Sequence, residues 1–551
     1  MSDKITVNIA GRGPATVDKG VDLATLGQTC ADLLKHPIIL AKVDNELQEL
    51  SRRLFFDCTV EFLDITDANG FRAYQRGAVL LLIYAAKTVL GKKTRVVISH
   101  SINKNYYCEL PEAETPITDE LLSKIEAVMR EAVAADLPIE KVALPLEMAF
   151  KLSEELGADD QIRLLKYRRT SSVNFYKLGF LHNYFYGQMP PSTGFLPQFK
   201  LVRKSAGFML QFPNAADNYE IAEMKPNNKI HEVFEESNQW ARIMKVETVG
   251  SLNDMLCEKG SGEIIRIAEA LHEKKIAHLA DQIAHQHKTI VLIAGPSSSG
   301  KTTFASRLSV QLRVNGLRPH VISLDNYYLN RDKTPKDALG NYDFETIDAI
   351  DTQQINTDLD ALLNGQTVSM PTFNFLTGYR EYKGDELTLR ANDVLVIEGI
   401  HGLNEQVSAS IPGADKFKIF ISALTQINID DHNRIPTTDT RIIRRIVRDY
   451  MFRGYSAART IELWPSVTRG ENRYIFPYQE EADAFFNSAL VYEMCVMKQF
   501  VEPLLFSINV KDPEYTEARR LIKFLDCFLG INSESVPMNS LLREFLGGSC
   551  F

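Results

Sequence analysis

Seven cysteines are scattered along the 551 residues with no C-x-x-C pair among them. This spacing excludes a zinc ribbon and a disulfide framework and leaves the thiols as reduced structural groups. Long apolar runs are also missing. The longest, Ala78 to Ala86, falls far short of the roughly 20 residues a membrane-spanning helix needs. The opening residues, MSDKITVNIAG, lack a basic region followed by an apolar stretch, so a cytoplasmic location is expected. Basic charge is in deficit, with 62 Lys and Arg against 71 Asp and Glu, a net charge of −9. General attraction to nucleic acid or anionic membrane is therefore excluded, and any RNA contact needs a local basic patch.

What is present is an ordinary soluble composition, 45% hydrophobic and 24% charged, on a chain long enough for two to four domains. Residues 4–10 alternate apolar and polar positions before Gly11-Arg12-Gly13, which predicts an opening hairpin in a small β-grasp unit over residues 1–66. Residues 67–225 read as mixed α and β, with a helix at Ala78 to Leu90, a strand at Thr94 to His100, and helices at Asp119 to Ala134 and Leu144 to Leu156. A helical connector over residues 226–285 carries His272, His278 and His285, with His287 just beyond; the interspersed lysines point to a solvated face rather than a metal site. An α/β domain follows over residues 286–510, with mainly parallel strands, and residues 511–551 form a C-terminal tail.

The chemistry lies in residues 286–510. Thr289 to Thr303 reads TIVLIAGPSSSGKTT, an apolar strand running directly into G-x-x-x-x-G-K-T. Such a loop turns its backbone N–H groups toward phosphates. Gly295, Pro296, Ser297, Ser298, Ser299, Gly300, Lys301, Thr302 and Thr303 are thus candidate nucleotide contacts, for ATP or GTP. Lys301 has the reach for the β- and γ-phosphates, and Thr302 for Mg²⁺. The strand VISLDNYYLN ends at Asp325, a carboxylate placed to accept a proton from an attacking hydroxyl. The strand DVLVIEGIHGL ends at Glu398, a candidate metal partner with Gly399 leaving room for the ligand. In TRIIRRIVRDYMFRG, Arg441, Arg444, Arg445 and Arg448 share one helix face, with Ile443, Ile446, Val447 and Tyr450 opposite. Arg453 continues the basic character toward a mobile lid, and clustered guanidiniums suit a transferring phosphate.

Together these motifs resemble the uridine kinase and phosphoribulokinase family of P-loop kinases. The phosphate loop corresponds to Gly295–Thr302, the base motif to Asp325 in DNYY, the sugar-binding N-x-D to Asn341-Tyr342-Asp343, the metal strand to Glu398-Gly399, and the lid to Arg444, Arg445, Arg448, Asp449 and Arg453-Gly454. The resemblance implies phosphorylation of the 5′-hydroxyl of a nucleoside, with ATP and Mg²⁺ as cofactors. It makes Asp325, Lys301, Arg445, Arg448 and Arg453 catalytic and Asp343 the ribose contact. Tyr328, Phe373 and Arg380 are candidate substrate contacts. Where the pyrimidine-reading branch carries a tyrosine and a histidine, this chain has Phe373 and Gly378, so two polar base contacts are missing and base discrimination weakens. The alternatives are a kinase of a sugar phosphate or other small alcohol, and an RNA-binding or nucleotide-sensing regulator.

The front of the chain, in ITVNIAGRGPATVDKG, VEFLDITDANGFRAYQRG and YGQMPPSTGFLPQFKL, resembles the β-grasp and editing domains of threonyl-tRNA synthetases. The H-x-x-x-H and C-x-x-x-H positions of that editing site fall at Leu80 and Tyr84, Phe185 and Met189. Those side chains cannot activate water, so editing is not expected. RNA contact by this half and homo-oligomerisation remain open.

Overall fold

The computed structural model describes residues 3–111, 116–214, 218–223, 228–336, 340 and 342–551. Asn341 of the N-Y-D motif lies outside the described residues. The architecture is α/β, as the strand and helix patterns imply.

The chain opens with strands β1 (Lys4–Ile9) and β2 (Gly13–Asp18), helix α1 (Leu23–Gln28), and strands β3 (Leu40–Val43), β4 (Glu46–Glu49) and β5 (Cys58–Leu63). They form one mixed sheet in the order β2-β1-β5-β3-β4, with β1 and β5 parallel. The alternation of buried and exposed residues along β1 turns Ile5, Val7 and Ile9 into the core beneath it.

Next comes α2 (Ala68–Leu90), ten residues longer at its start than the apolar run alone indicates. Asp67 caps it, its Oδ1 accepting from the N–H groups of Asn69 and Gly70. Gly70 and Gly77 lie inside the helix, and each permits a close approach. A Cβ on Gly70 would lie 1.9 Å from the Asp64 carbonyl oxygen, and one on Gly77 2.6 Å from the Pro190 ring.

Two further sheets complete this half. Strands β6 (Val97–Ile102) and β7 (Asn105–Glu109) precede α3 (Asp119–Ala134). They are followed by β8 (Glu140–Pro145), α4 (Leu146–Leu156), α5 (Asp159–Leu165), β9 (Ser172–Leu178), β10 (Leu181–Tyr184), β11 (Lys200–Lys204) and β12 (Gly207–Gln211). The orders are β10-β9-β8 and β11-β12-β7-β6. Leu80, Phe185 and Met189 are buried within one hydrophobic cluster, with Tyr84 packed against it. These four positions are thus taken up by apolar packing.

The connector is three helices, α6 (Asn228–Met244), α7 (Val249–Lys259) and α8 (Ser261–His285). The break between the last two is at Gly260, whose φ of +74° favours glycine. His278, His285 and His287 are exposed. His272 corrects the expectation of a solvated histidine face, because it is 1% exposed and its Nε2 donates to the Ala489 carbonyl at 3.1 Å.

Beyond it, β13 (Ile290–Ala294), α9 (Lys301–Val314), β14 (Arg318–Ser323), α10 (Thr352–Leu363), the hairpin β15 (Val368–Asn374) and β16 (Tyr379–Leu387), β17 (Asp393–Glu398) and β18 (Lys416–Ser422) lead to α11 (Thr437–Arg453) and α12 (Ala457–Tyr474). Then come β19 (Ala484–Asn487), α13 (Glu493–Phe506), α14 (Tyr515–Leu525) and α15 (Arg543–Leu546). The main sheet runs β14-β17-β13-β18-β19, with every neighbouring pair parallel. All five residues of β13 are buried, as expected of a strand covered on both faces.

Residues 511–551 are packed into the body. Leu541, Leu542 and Phe545 are fully buried, and Glu544 accepts from Thr303 Oγ1 at 2.8 Å. One hydrophobic cluster joins α4, α5, α7 and α8 to α11, α13 and α14 through residues such as Leu164, Phe175, Leu252, Ile446, Val496 and Leu521. The two halves of the chain share a core.

Candidate functional site

The site forms at the carboxyl ends of β13, β14 and β17, where a parallel sheet leaves a crevice for ligands. Gly295 ends β13 so tightly that a Cβ there would sit 2.1 Å from the Ile421 carbonyl oxygen. Gly300 has φ +88° and Ser298 φ +60°, which curls the loop before α9 begins at Lys301. The helix N-terminus adds a partial positive charge. The Oγ atoms of Ser298 and Ser299 are buried without hydrogen-bond partners. A cradle with orphaned hydroxyls, a lysine and a helix N-terminus has the chemistry that a nucleotide's phosphates require.

Lys301 Nζ rests on the carbonyl oxygens of Gly295 and Pro296, at 3.1 and 3.3 Å. Thr302 Oγ1 lies 3.5 Å from Glu398 Oε1, so the two groups read as metal partners stand together. Burial pushes the Glu398 carboxyl up to about 7, helped by the nearby Asp325 charge and opposed by Lys301. This hard oxygen pair suits Mg²⁺. Gly399 differs from the expectation that it makes room for ligand. A Cβ there would meet the Leu324 side chain at 2.6 Å, so the glycine admits a packing neighbour.

Asp325 lies in a short helical turn, Leu324–Tyr327, just past β14. Burial raises its carboxyl above the ordinary range, while Lys301, Arg453 and Arg448 act the other way. The structure thus brings the candidate base, the loop lysine and two lid arginines within electrostatic reach of one another.

The arginine row on α11 divides in two, which corrects its reading as a single phosphate clamp. Arg441 and Arg444 are at most 2% exposed and act as internal braces. Arg441 pairs with Glu471 through both terminal nitrogens. Arg444 Nε and Nη2 reach Glu493 at 2.9 and 2.6 Å. Their remaining donors reach the carbonyls of Ser297 and Ser298, so the pairs also support the underside of the phosphate loop. Arg445, Arg448 and Arg453 instead share buried Asp449, and Arg445 Nη1 donates to Ser297 Oγ at 2.9 Å. Gly454, with φ +69°, ends the helix. Tyr450 is 55% exposed, not packed on the apolar side as the sequence suggests.

On the acceptor side, Asp343 Oδ1 accepts from the Glu345 N–H at 3.0 Å. The Tyr328 hydroxyl donates to the Phe344 carbonyl, and its ring packs edge-on against Phe373 and Phe344, centroids 5.7 Å apart in each case. Phe375 extends this aromatic wall and is 59% exposed. Arg380 corrects the expectation of a free substrate contact. Its guanidinium holds Asp351 at 3.1 Å and the carbonyls of Tyr327 and Tyr328 at 3.2 Å. Gly378, with φ +77°, makes way for Arg331, whose Nε would meet a Cβ there at 2.6 Å.

Sequence reasoning missed two groups. Glu345 is raised by burial to about 7, with Arg445 and Lys301 opposing, and its Oε2 is buried without a partner. Glu471 accepts from the Ser297 N–H at 3.0 Å, occupying a donor of the phosphate loop. Neither stands in a motif; an isolated glutamate is visible only once folding has placed it.

The family described as phosphoribulokinase / uridine kinase matches residues 290–493. A uridine kinase of Macrococcus caseolyticus is 30% identical over 196 residues, 35% of this chain and 85% of that protein. One from Halobacterium salinarum is 29% identical over 193 residues, 35% of this chain and 76% of that protein. A threonine–tRNA ligase of Clostridium kluyveri is 29% identical over 199 residues, which is 36% of this chain but only 31% of the ligase. With a family match over β13 to the start of α13, and most of a uridine kinase covered, the chain belongs to the phosphoribulokinase / uridine kinase family.

Proposed function

We propose that the chain is an ATP- and Mg²⁺-dependent phosphotransferase that phosphorylates the 5′-hydroxyl of a nucleoside, most simply of the uridine type. The observation that carries this reading is that Asp325 lies within electrostatic reach of Lys301, Arg453 and Arg448. A nucleotide-binding module that only senses its ligand has no use for a carboxylate base there.

In this scheme Asp325 orients the acceptor hydroxyl and takes its proton as the phosphoryl group moves. Asp343 holds ribose hydroxyls, and the wall of Tyr328, Phe373 and Phe375 stacks on the base. Lys301, Arg445, Arg448 and Arg453 steady the charge on the transferring group. Thr302 and Glu398 are the residues that would hold Mg²⁺, which supplies charge neutralisation. Closure of the α11–α12 lid would exclude water.

The engagement of Arg380 and the apolar Phe373 favour a second reading, a kinase of a sugar phosphate or another small alcohol, because few polar groups remain to read a base. For the front half we propose a synthetase-derived origin, with a β-grasp domain over residues 1–66 and an editing-type domain over 67–225. The connector (226–285), kinase domain (286–510) and C-terminal segment (511–551) complete the division. A cytoplasmic enzyme that acts on a small molecule fits this scheme. ADP release with ATP and Mg²⁺, measured against a panel of nucleosides, ribulose 5-phosphate and no acceptor, tests the reading. Turnover with one nucleoside supports it, and turnover only with a sugar phosphate selects the second reading.

A further inference from the structure

A cavity of about 370 Å³ opens between β4, the start of α2 and α14, away from the phosphate loop. Its volume is within the range of small-molecule sites. Five cations line it, Arg72, Arg76, Arg519, Arg520 and Lys523, against two carboxylates, Glu46 and Asp526. Arg72 and Arg520 are committed elsewhere: both bind Glu517, and Arg520 also forks onto Asp439 of α11 at 2.6 and 2.8 Å.

The other three differ. Among the described residues, Arg76, Arg519 and Lys523 have no ion-pair partner. Arg76 is oriented by its Nε, which donates to the Gln188 carbonyl at 2.8 Å. It lies over Gly187, where a Cβ would stand 2.4 Å from its Cζ. Arg519 rests over the Tyr515 ring at 6.0 Å. Lys523 is open to the cavity, yet the protein packed around it, with Lys141, Arg168 and Arg76, pushes its ammonium down to about 8. Glu49, the acid nearest in effect, is engaged by Lys141 at 3.2 Å and by the Tyr176 hydroxyl. Five cations against two carboxylates leave an excess of positive charge that favours an anion, and guanidiniums bind phosphate oxygens in two-point contacts.

We propose that this cavity is a second ligand site, which binds a phosphorylated small molecule through Arg76, Arg519 and Lys523. The limited volume and the net charge of −9 favour a small anion over a nucleic acid, which needs an extended basic surface. The site is separate from the phosphate loop and independent of the kinase reading.

Calorimetric titration of the full chain with inorganic tripolyphosphate tests it. Wild-type protein is expected to show two binding events. Lys301→Ala weakens the one at the phosphate loop and leaves the other. Arg519→Gln/Lys523→Gln, at exposed positions, leaves the first and weakens the second at least tenfold, with unchanged thermal melting. Arg76→Gln is expected to act in the same direction. The proposal is overturned if the wild type shows a single event that Lys301→Ala abolishes, or if the second event survives Arg519→Gln/Lys523→Gln. It is also overturned if a single-stranded RNA oligonucleotide binds through these cations while tripolyphosphate does not.

Discussion

Arg444 and Glu493 form a two-point ion pair with no more than 3% of either side chain exposed, and the same guanidinium donates to the Ser298 carbonyl in the phosphate loop. A charge so deep is stable only with its partner, so this arginine belongs to the architecture that holds the loop rather than to the reacting groups.

Arg444→Ala is therefore expected to destabilise the fold by about 3–5 kcal/mol, because it strands the Glu493 carboxylate. Arg444→Met/Glu493→Leu is expected to recover most of the loss. Urea unfolding of the two variants checks this.

Arg448→Ala should behave in the opposite way. Its side chain is 14% exposed and its charge acts on Asp325, so melting should hold within a few degrees. The rate constant kcat should drop by about 10²–10³-fold, the usual loss for one transition-state donor. Steady-state kinetics beside a thermal melt separates these outcomes from those of Arg444→Ala.

Four arginines at helical spacing are legible in the sequence as one face, and the helix forms over those residues. What the spacing does not contain is the pair of acids, Glu471 and Glu493, that come from later segments and draw Arg441 and Arg444 inward. The same limit applies to Arg380, whose partner Asp351 lies 29 residues away. The phosphate loop, by contrast, was readable because its glycines, lysine and flanking strand are contiguous. The early start of α2 is hidden for a related reason: Gly70 and Gly77 are close-packing sites only when Asp64 and Pro190 are in place.

The shared core predicts the outcome of truncation. Leu164, Phe175 and Leu252 pack in one cluster with Ile446 and Leu521, and Arg95 of the front half pairs with Asp431 at 2.6 Å. Residues 226–551 alone should expose that apolar surface and lose cooperative melting or solubility. A soluble fragment with the full chain's melting profile would show that the core is not shared energetically.

His272 gives a pH signature. Burial pushes its pKa down to about 3 from 6.5, so between those values the folded state binds fewer protons than the unfolded chain. Stability held at neutral pH is lost as the pH falls from about 6.5 toward 3, by up to about 1.4 kcal/mol per pH unit for one group. His272→Gln, which keeps a donor for the Ala489 carbonyl, should show a smaller difference in urea midpoint between pH 7.5 and pH 5 than the wild type.

The central claim is that Asp325 serves as the base of a phosphoryl transfer, and acceptor-dependent ADP release by Asp325→Asn, measured beside ATP affinity, tests it most directly. The account predicts unchanged folding, ATP affinity within a few-fold of wild type, and kcat lower by about 10²–10⁴-fold. Acceptor-dependent turnover at the wild-type rate in Asp325→Asn would contradict it.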